Sequence, residues 1–440
     1  MSTPSSRGLT RRAALTGVAG AGAAALLEPV TGLADTLTGR GPVFSRVLGS
    51  IAGDSPPLRA PRQFSLIGIE WSAPSAARIE LRARGVDGRW SGWVLASALG
   101  HGPDVVRDRS RLFGEPIWTG AALSVQVRAS KPVRGVRLHF VDPGAPPAAA
   151  PRAGAAAAAP LPLAAPIRQA GRVQPPIIAR SAWADGGSRP SVPEGYGSVR
   201  LAFVHHTVSP NGYASGDVPS ILRSIFDYHR YVRGFHDIAY NFMIDAFGRI
   251  WEARAGGIDL PVIGAQAGGY NAVSTGVAVV GTFMDVALPA AAIAALERLL
   301  AWKLSLHGLP TRGRVTVEVN PAEAFYTPFA PGAHVSLPRI AGHRDGDSTD
   351  CPGNTFYARL PAIRVRATAL APTRATPPGP RPRCRSRSEG LSGRRARRNR
   401  VSTGRGTAPG VPAGWGQSAP ARVALCRPGA RIGTRRPIQG

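Results

Sequence analysis

A chain of 440 residues with 43% hydrophobic side chains is too long for one core, because single cores stop growing at about 250–300 residues. Its formal net charge of +28 on its own points to nucleic acid or another polyanion. The distribution argues otherwise: residues 175–365 carry sixteen basic and fifteen acidic side chains, whereas residues 371–440 carry sixteen Arg against the single acid Glu389. No dedicated nucleic-acid binding is therefore expected of the near-neutral central region.

The N-terminus reads as an export signal. Thr10-Arg11-Arg12 is followed by a mild Ala/Gly/Leu/Val run to Leu27, and Gly32-Leu33-Ala34 offers small residues for cleavage. This form, over residues 1–34, is that of a twin-arginine signal, and it predicts a cell-wall or extracellular location. The run is too short and too weakly apolar for a stable span, so no transmembrane segment is expected after its removal.

From about Val43 to Pro143 the chain shows short alternating runs broken by Gly, Pro and Asp. Phe64–Trp71, Ala77–Arg82, Leu123–Arg128 and Val136–Val141 each have a period of two, which predicts a small antiparallel β-sandwich with one wet face. Trp90 and Trp93 fit core or hairpin aromatics better than a carbohydrate platform. No catalytic constellation occurs here, so the unit reads as an accessory domain. Residues 144–174 are rich in Ala and Pro and predict a semi-extended linker.

The next region, 175–365, alternates strand and helix patterns. A strand is expected at Leu201–His205. A helix at about Val218–Tyr231 follows, with Asp217 able to cap it and Gly234 to stop it. Ile238–Ile244 and Arg249–Ala253 read as a hairpin, Gly276–Gly281 as a buried strand, and Pro289–Leu306 as a second helix. Together these predict an α/β domain with a mixed central sheet flanked by helices. The stretch from Arg312 to Ser336 carries no assignable pattern. Residues 366–440 lose all periodicity and predict a disordered Arg/Pro/Gly-rich tail. A solvated tail without a dedicated role, or an out-of-frame extension, accounts for it better than adhesion to anionic wall polymers or nucleic acid, the functional alternative.

The chemistry gathers around Gly342-His343-Arg344-Asp345-Gly346-Asp347-Ser348-Thr349-Asp350-Cys351-Pro352-Gly353. One loop brings an imidazole and a thiol within reach of a common point, and zinc prefers such ligands. A third donor is best found in His205, at the end of the apolar run Leu201–His205. Two His and one Cys leave one position of a tetrahedral zinc for water, which is the pattern of a catalytic site. Strand alternation sends His205 and His206 to opposite faces, so only one of them joins easily. Cys351 is also the odd cysteine, since Cys384 and Cys426 can pair with each other in an oxidising compartment.

His205-His206-Thr207 after an apolar strand, Asp237-Ile-Ala-Tyr-Asn-Phe242, Gly342-His-Arg-Asp345 and Thr349-Asp-Cys-Pro-Gly353 resemble the peptidoglycan recognition proteins and the related phage-lysozyme-type zinc amidases. The resemblance covers roughly Pro175 to Arg364. It implies a zinc-dependent N-acetylmuramoyl-L-alanine amidase with peptidoglycan as substrate, or alternatively a recognition protein that binds peptidoglycan without cleaving it. It implies His205, His343 and Cys351 as metal ligands and Tyr240 and Thr349 as catalytic side chains. Asp345 and Asp350 can either anchor the ligand imidazoles or simply form turns. Arg254, Gln266 and Asn271 fall in segments that resemble the family's groove lining, with Gln266 where many relatives carry His. His229, His236, His307 and His334 have no evident partner and read as structural or surface residues.

Overall fold

The computed structural model describes residues 41–73, 77–96, 110–144 and 173–370. The expected signal, most of the expected linker, Cys384 and Cys426, and all but the first few positions of the expected tail lie outside these residues.

The all-β unit consists of β1 (Val43–Asp54), β2 (Leu58–Ser72), β3 (Ile79–Gly85), β4 (Val94–Leu95), β5 (Arg111–Phe113) and β6 (Ile117–Val141). Two of the expected runs, Leu123–Arg128 and Val136–Val141, are halves of the single 25-residue strand β6. Leu66 of β2 pairs with both Trp118 and Val141, and Ile67 with both Ile117 and Phe140. The two ends of β6 therefore flank β2, and the sheet curls around its own core. Phe64, Ile67, Ile69, Leu81, Val125 and Leu138 fill that core. Trp90 and Trp93 are not part of it. They are half-exposed and take the guanidinium of Arg82 at 4.9 and 4.6 Å from their ring centres.

The α/β unit follows with β7 (Ile177–Ile178), β8 (Leu201–His206), α1 (Val218–Asp227), β9 (Phe242–Ile244), β10 (Ile250–Glu252), β11 (Ser274–Val279), α2 (Ala290–Leu306), β12 (Arg314–Glu318), β13 (His334–Pro338), β14 (Ile340–Gly342) and α3 (Asn354–Leu370). Its mixed six-stranded sheet has the order β14-β8-β11-β9-β10-β7, antiparallel only between β9 and β10. Alternate residues of β8 serve different layers, as a period of two requires. Ala202 and Val204 pack with α2 and α3, whereas Leu201 and Phe203 pack with Tyr270 and the β12–β13 hairpin. The α1 helix belongs to a further cluster with Trp183, Phe235 and Tyr240.

Several expectations need correction. The first helix ends at Asp227 and continues as a π-helical turn, Tyr228–Val232. Asp217 makes no cap to the helix; its carboxylate accepts the backbone N–H of Ala214 and closes the preceding turn instead. Strand β9 starts only at Phe242, so Tyr240 lies in the irregular segment before it. The unassigned stretch holds the β12–β13 hairpin. The last helix runs to Leu370, past the boundary expected at 365. No helix among the described residues is long and apolar enough to cross a membrane.

The two units share a core. Val43, Leu66 and Val141 of the β domain pack into the cluster formed by α1, Trp183 and Tyr228. Arg223 donates to the Pro143 carbonyl at 2.6 Å, and the Ser65 and Ser224 hydroxyls lie 3.1 Å apart. At the centre of the contact Gly68 is required by close approach, because a Cβ there would lie 2.0 Å from Cε2 of Tyr228.

Candidate metal and catalytic site

Parallel pairing of β8 with β14 aligns Phe203 with Ala341 and Val204 with Gly342. The next residue of each strand is His205 and His343, so the register itself sets the two imidazoles side by side at the carboxyl edge of the sheet. Their ring centres are 4.5 Å apart. The loop after β14 then turns back and delivers Cys351. Gly353 closes it at φ +94°, where any Cβ would meet the Phe283 carbonyl oxygen at 2.3 Å.

Ligand atoms of His205, His343 and Cys351 all lie within 4.8 Å of one another, and this is the only such trio among the described residues. Cys351 Sγ is 3.7 Å from His205 Nδ1. Two ligands of one tetrahedral zinc, with Zn–S about 2.3 Å and Zn–N about 2.0 Å, stand about 3.5 Å apart. The donor set therefore fits zinc. All three side chains are buried, His205 and His343 completely.

Burial and the neighbouring His343 and His206 drive the pKa of His205 well down, so its ring is neutral, as a ligand must be. Burial and the Glu115 carboxylate push the Cys351 thiol well up, and the backbone N–H of His206 opposes them by donating to Sγ at 3.4 Å. A bound cation would reverse that balance and favour the thiolate. His206 points to the other face, where Nδ1 accepts the Phe283 N–H at 3.3 Å.

The partner that orients His343 is Asp347, four residues on: its Oδ2 lies 3.1 Å from Nε2. Asp345 and Asp350 do not touch the ligands. Asp345 accepts the Gly342 N–H and the Tyr357 hydroxyl, and Asp350 is exposed. Both are turn residues. Thr349 holds the loop by accepting the Cys351 N–H at 3.2 Å.

Tyr240 is placed beside the trio, its ring centre 5.2 Å from that of His205. Behind it His229 is stacked on Phe235 at 4.8 Å, and its Nδ1 accepts the Ala239 N–H. Burial, with Glu115 and Cys351 adding to it, holds the Tyr240 phenol well above its ordinary value, so the hydroxyl keeps its proton. His229 therefore supports the tyrosine from behind, a role no spacing in the sequence announced.

A cavity of about 220 Å³ is lined by Glu194, His236, Arg254, Asn271, Glu323 and Phe325 among others. Arg254 is nearly buried and pairs with Glu194 at 3.2 Å. Asn271 accepts the N–H groups of Gln266 and Ala267 and donates to Glu323, so it shapes the wall. Gln266 does not line this cavity. It is fully buried, donates to Ser274, and fills the space above Gly264 and Gly276.

Comparison with known proteins agrees with this geometry. The family model described as "N-acetylmuramoyl-L-alanine amidase" matches residues 195–354, and one described as "Rv3811 N-terminal galactose-binding domain-like" matches residues 35–160. A peptidoglycan-recognition protein of Drosophila simulans is 34% identical over 184 residues, covering 42% of this chain and 85% of that protein. The chain belongs to the peptidoglycan-recognition protein and type 2 amidase family. Peptidoglycan-recognition protein SA of Drosophila melanogaster is 36% identical over 131 residues, which span 29% of this chain and 60% of that protein. Among solved structures, wild-type Drosophila PGRP-LB is 25% identical with a TM-score of 0.32, covering 42% of this chain and 91% of its own.

Proposed function

We propose that the protein is a zinc-dependent N-acetylmuramoyl-L-alanine amidase, exported by its twin-arginine-type signal, that cleaves the amide between N-acetylmuramic acid and L-alanine in peptidoglycan. The convergence of His205, His343 and Cys351 next to Tyr240 carries this reading. A protein that only recognises peptidoglycan has no use for a buried thiol between two imidazoles.

His205, His343 and Cys351 would hold the ion, which when bound supplies Lewis acidity at the scissile carbonyl and an acidified water. The chain's own groups do the rest. Asp347 fixes the ring of His343. Tyr240, protonated and backed by His229, is a hydrogen-bond donor for the carbonyl oxygen as negative charge develops on it. The Thr349 hydroxyl, still able to donate while it accepts from Cys351, is a second, weaker donor at the same edge. The cavity with Arg254 and Glu194 offers paired charges for the polar stem of the substrate.

The test is zinc content and muropeptide release on the full chain, wild type against Cys351→Ala. The expected result is about one zinc per wild-type chain, stem peptides that begin at L-alanine, and loss of both in the variant. Peptidoglycan binding without release by the zinc-loaded wild type would leave a recognition protein.

A further inference from the structure

The metal trio occupies only one edge of the sheet. Parallel β8 and β14 lead to His205 and His343 at their carboxyl ends, and Arg200 and Arg339 immediately precede them at the other. The strand rises about 16 Å from Arg200 to His205, so this amino edge lies outside the site already described. Two further arginines join it, Arg314 of β12 and Arg364 of α3. The Arg200 guanidinium donates to the Thr316 carbonyl at 2.8 Å, and that of Arg314 donates to the Ser336 carbonyl at 2.6 Å. Thr316 and Ser336 are partners across the β12–β13 hairpin. Arg339 donates to the Arg200 carbonyl from its side chain and to the Gly313 carbonyl from its backbone, and Arg364 donates to the Ile340 carbonyl at 2.9 Å. One hairpin and the strand starts beside it thus hold four guanidinia.

Among the described residues, none of these four arginines forms an ion pair. Acids are not scarce in residues 175–365, and other arginines there use them: Arg180 pairs with Asp237, Arg249 with Asp245 and Arg254 with Glu194. Asp345, whose charge reaches Arg364, already accepts the Gly342 N–H and the Tyr357 hydroxyl. The arginines instead oppose one another. Burial and Arg200 lower the pKa of Arg339, and burial and Arg314 lower that of Arg364. Nε of Arg339 is buried with no hydrogen-bond partner. Like charges held together with N–H donors to spare cost the fold stability, and a bound anion relieves that cost. Such an anion has access, because Arg200 and Arg314 are exposed.

We propose that this amino edge is a docking surface for a linear phosphodiester polymer of the cell wall, bound through its phosphate oxygens. The wall as the polymer's source rests on the amidase reading above; the anion chemistry does not. Phosphate oxygens match the forked N–H groups of a guanidinium. Each guanidinium has its own carbonyl anchor, so the charges form an array, which suits a chain of repeated anions better than one small ion. The anchors also hold the side chains in place beforehand, which reduces the ordering cost of binding. The strands that carry the array, Arg314–Glu318 and His334–Pro338, contain no Phe, Tyr or Trp on which a base would stack, and this argues against single-stranded nucleic acid. With the polymer held on one edge, the opposite edge is free to act on peptidoglycan.

The experiment measures the Kd of full-length protein for a short poly(glycerol phosphate) over a range of salt concentrations. It compares wild type with Arg200→Gln/Arg314→Gln and with Arg394→Gln/Arg395→Gln, which removes the same charge from the tail. The first variant should bind roughly 2–30-fold more weakly, as loss of two exposed ion pairs implies. Its salt slope should be smaller by about 1.4, the value for two phosphate contacts to a single-stranded polyanion. Release of soluble muropeptides should be unchanged in it, which also shows that it is folded. The tail variant should bind as wild type does. Equal weakening in both variants, or wild-type binding in the first, would overturn the proposal. Tighter binding of wild type to an oligonucleotide of equal charge would overturn it in favour of nucleic acid. A zinc-loaded wild type that binds the polymer through Arg200 and Arg314 yet releases no muropeptide would support the surface and overturn only the amidase reading.

Discussion

Tyr240 shows what packing adds to a single residue. Its phenol is buried against the imidazoles of His205 and His229 and keeps its proton because burial and Glu115 oppose ionisation. A donor aimed at developing charge contributes in the transition state and little in the ground state. Tyr240→Phe removes the hydroxyl and keeps the ring, so kcat should fall about 10²–10³-fold with bound zinc and KM nearly unchanged. Steady-state muropeptide kinetics alongside metal analysis would check this; a KM effect alone would make Tyr240 a binding residue. The convergence of His205, His343, Cys351 and Tyr240 was legible because several short motifs occur in one order. Asp347 was not, since the loop offers three aspartates and only the helical turn after β14 selects the one four residues from His343. Gln266 misled for a related reason: its segment looks like groove, but the small residues Gly264 and Gly276 draw its side chain inward.

At the scale of elements, period and turn chemistry revealed the strands and helices that are regular and left out those that are not. The β8 strand and the α2 helix were legible within a residue or two, because their apolar periods are long. The β12–β13 hairpin was hidden by the prolines around it, and β6 was divided because its Pro132 and Gly135 read as a break rather than as irregularities within a continuous strand. The Tyr228–Val232 turn departs from the helix where Tyr228 donates to the Gly114 carbonyl of the β domain, a tertiary contact invisible to periodicity. Gly68 is the counterpart of that contact. In Gly68→Ala the added Cβ meets Tyr228 at 2.0 Å, so the sheet or the ring must move, at a cost of about 1–3 kcal/mol. Urea unfolding of the full chain would measure it, and an unchanged midpoint would mean that the two units do not stay docked in solution.

For the molecule as a whole, the β and α/β units share a buried seam, and Glu115 is buried in it with Oε2 unpaired. Its carboxyl lies near 8 in the fold against an ordinary 4.5, so the folded chain keeps a proton that the unfolded chain gives up. Below about 4.5 both states are protonated and Glu115 contributes no pH dependence. Between about 4.5 and about 8 the fold binds more protons than the unfolded chain, and this residue then subtracts about 1.4 kcal/mol of stability per pH unit. Above about 8 the loss is complete. Glu115→Gln abolishes it, since an amide does not titrate. In zinc-stripped protein the variant should thus match wild type at pH 4.5 and unfold at progressively higher temperature than wild type as pH rises to 8. Comparing only the difference between the two chains cancels the titration of every other group. Thermal unfolding at three pH values suffices, and a difference that stays constant with pH would place Glu115 in contact with water rather than inside the seam. If the difference grows with pH, the stability given up at the seam is the cost of burying the Glu115 carboxyl there.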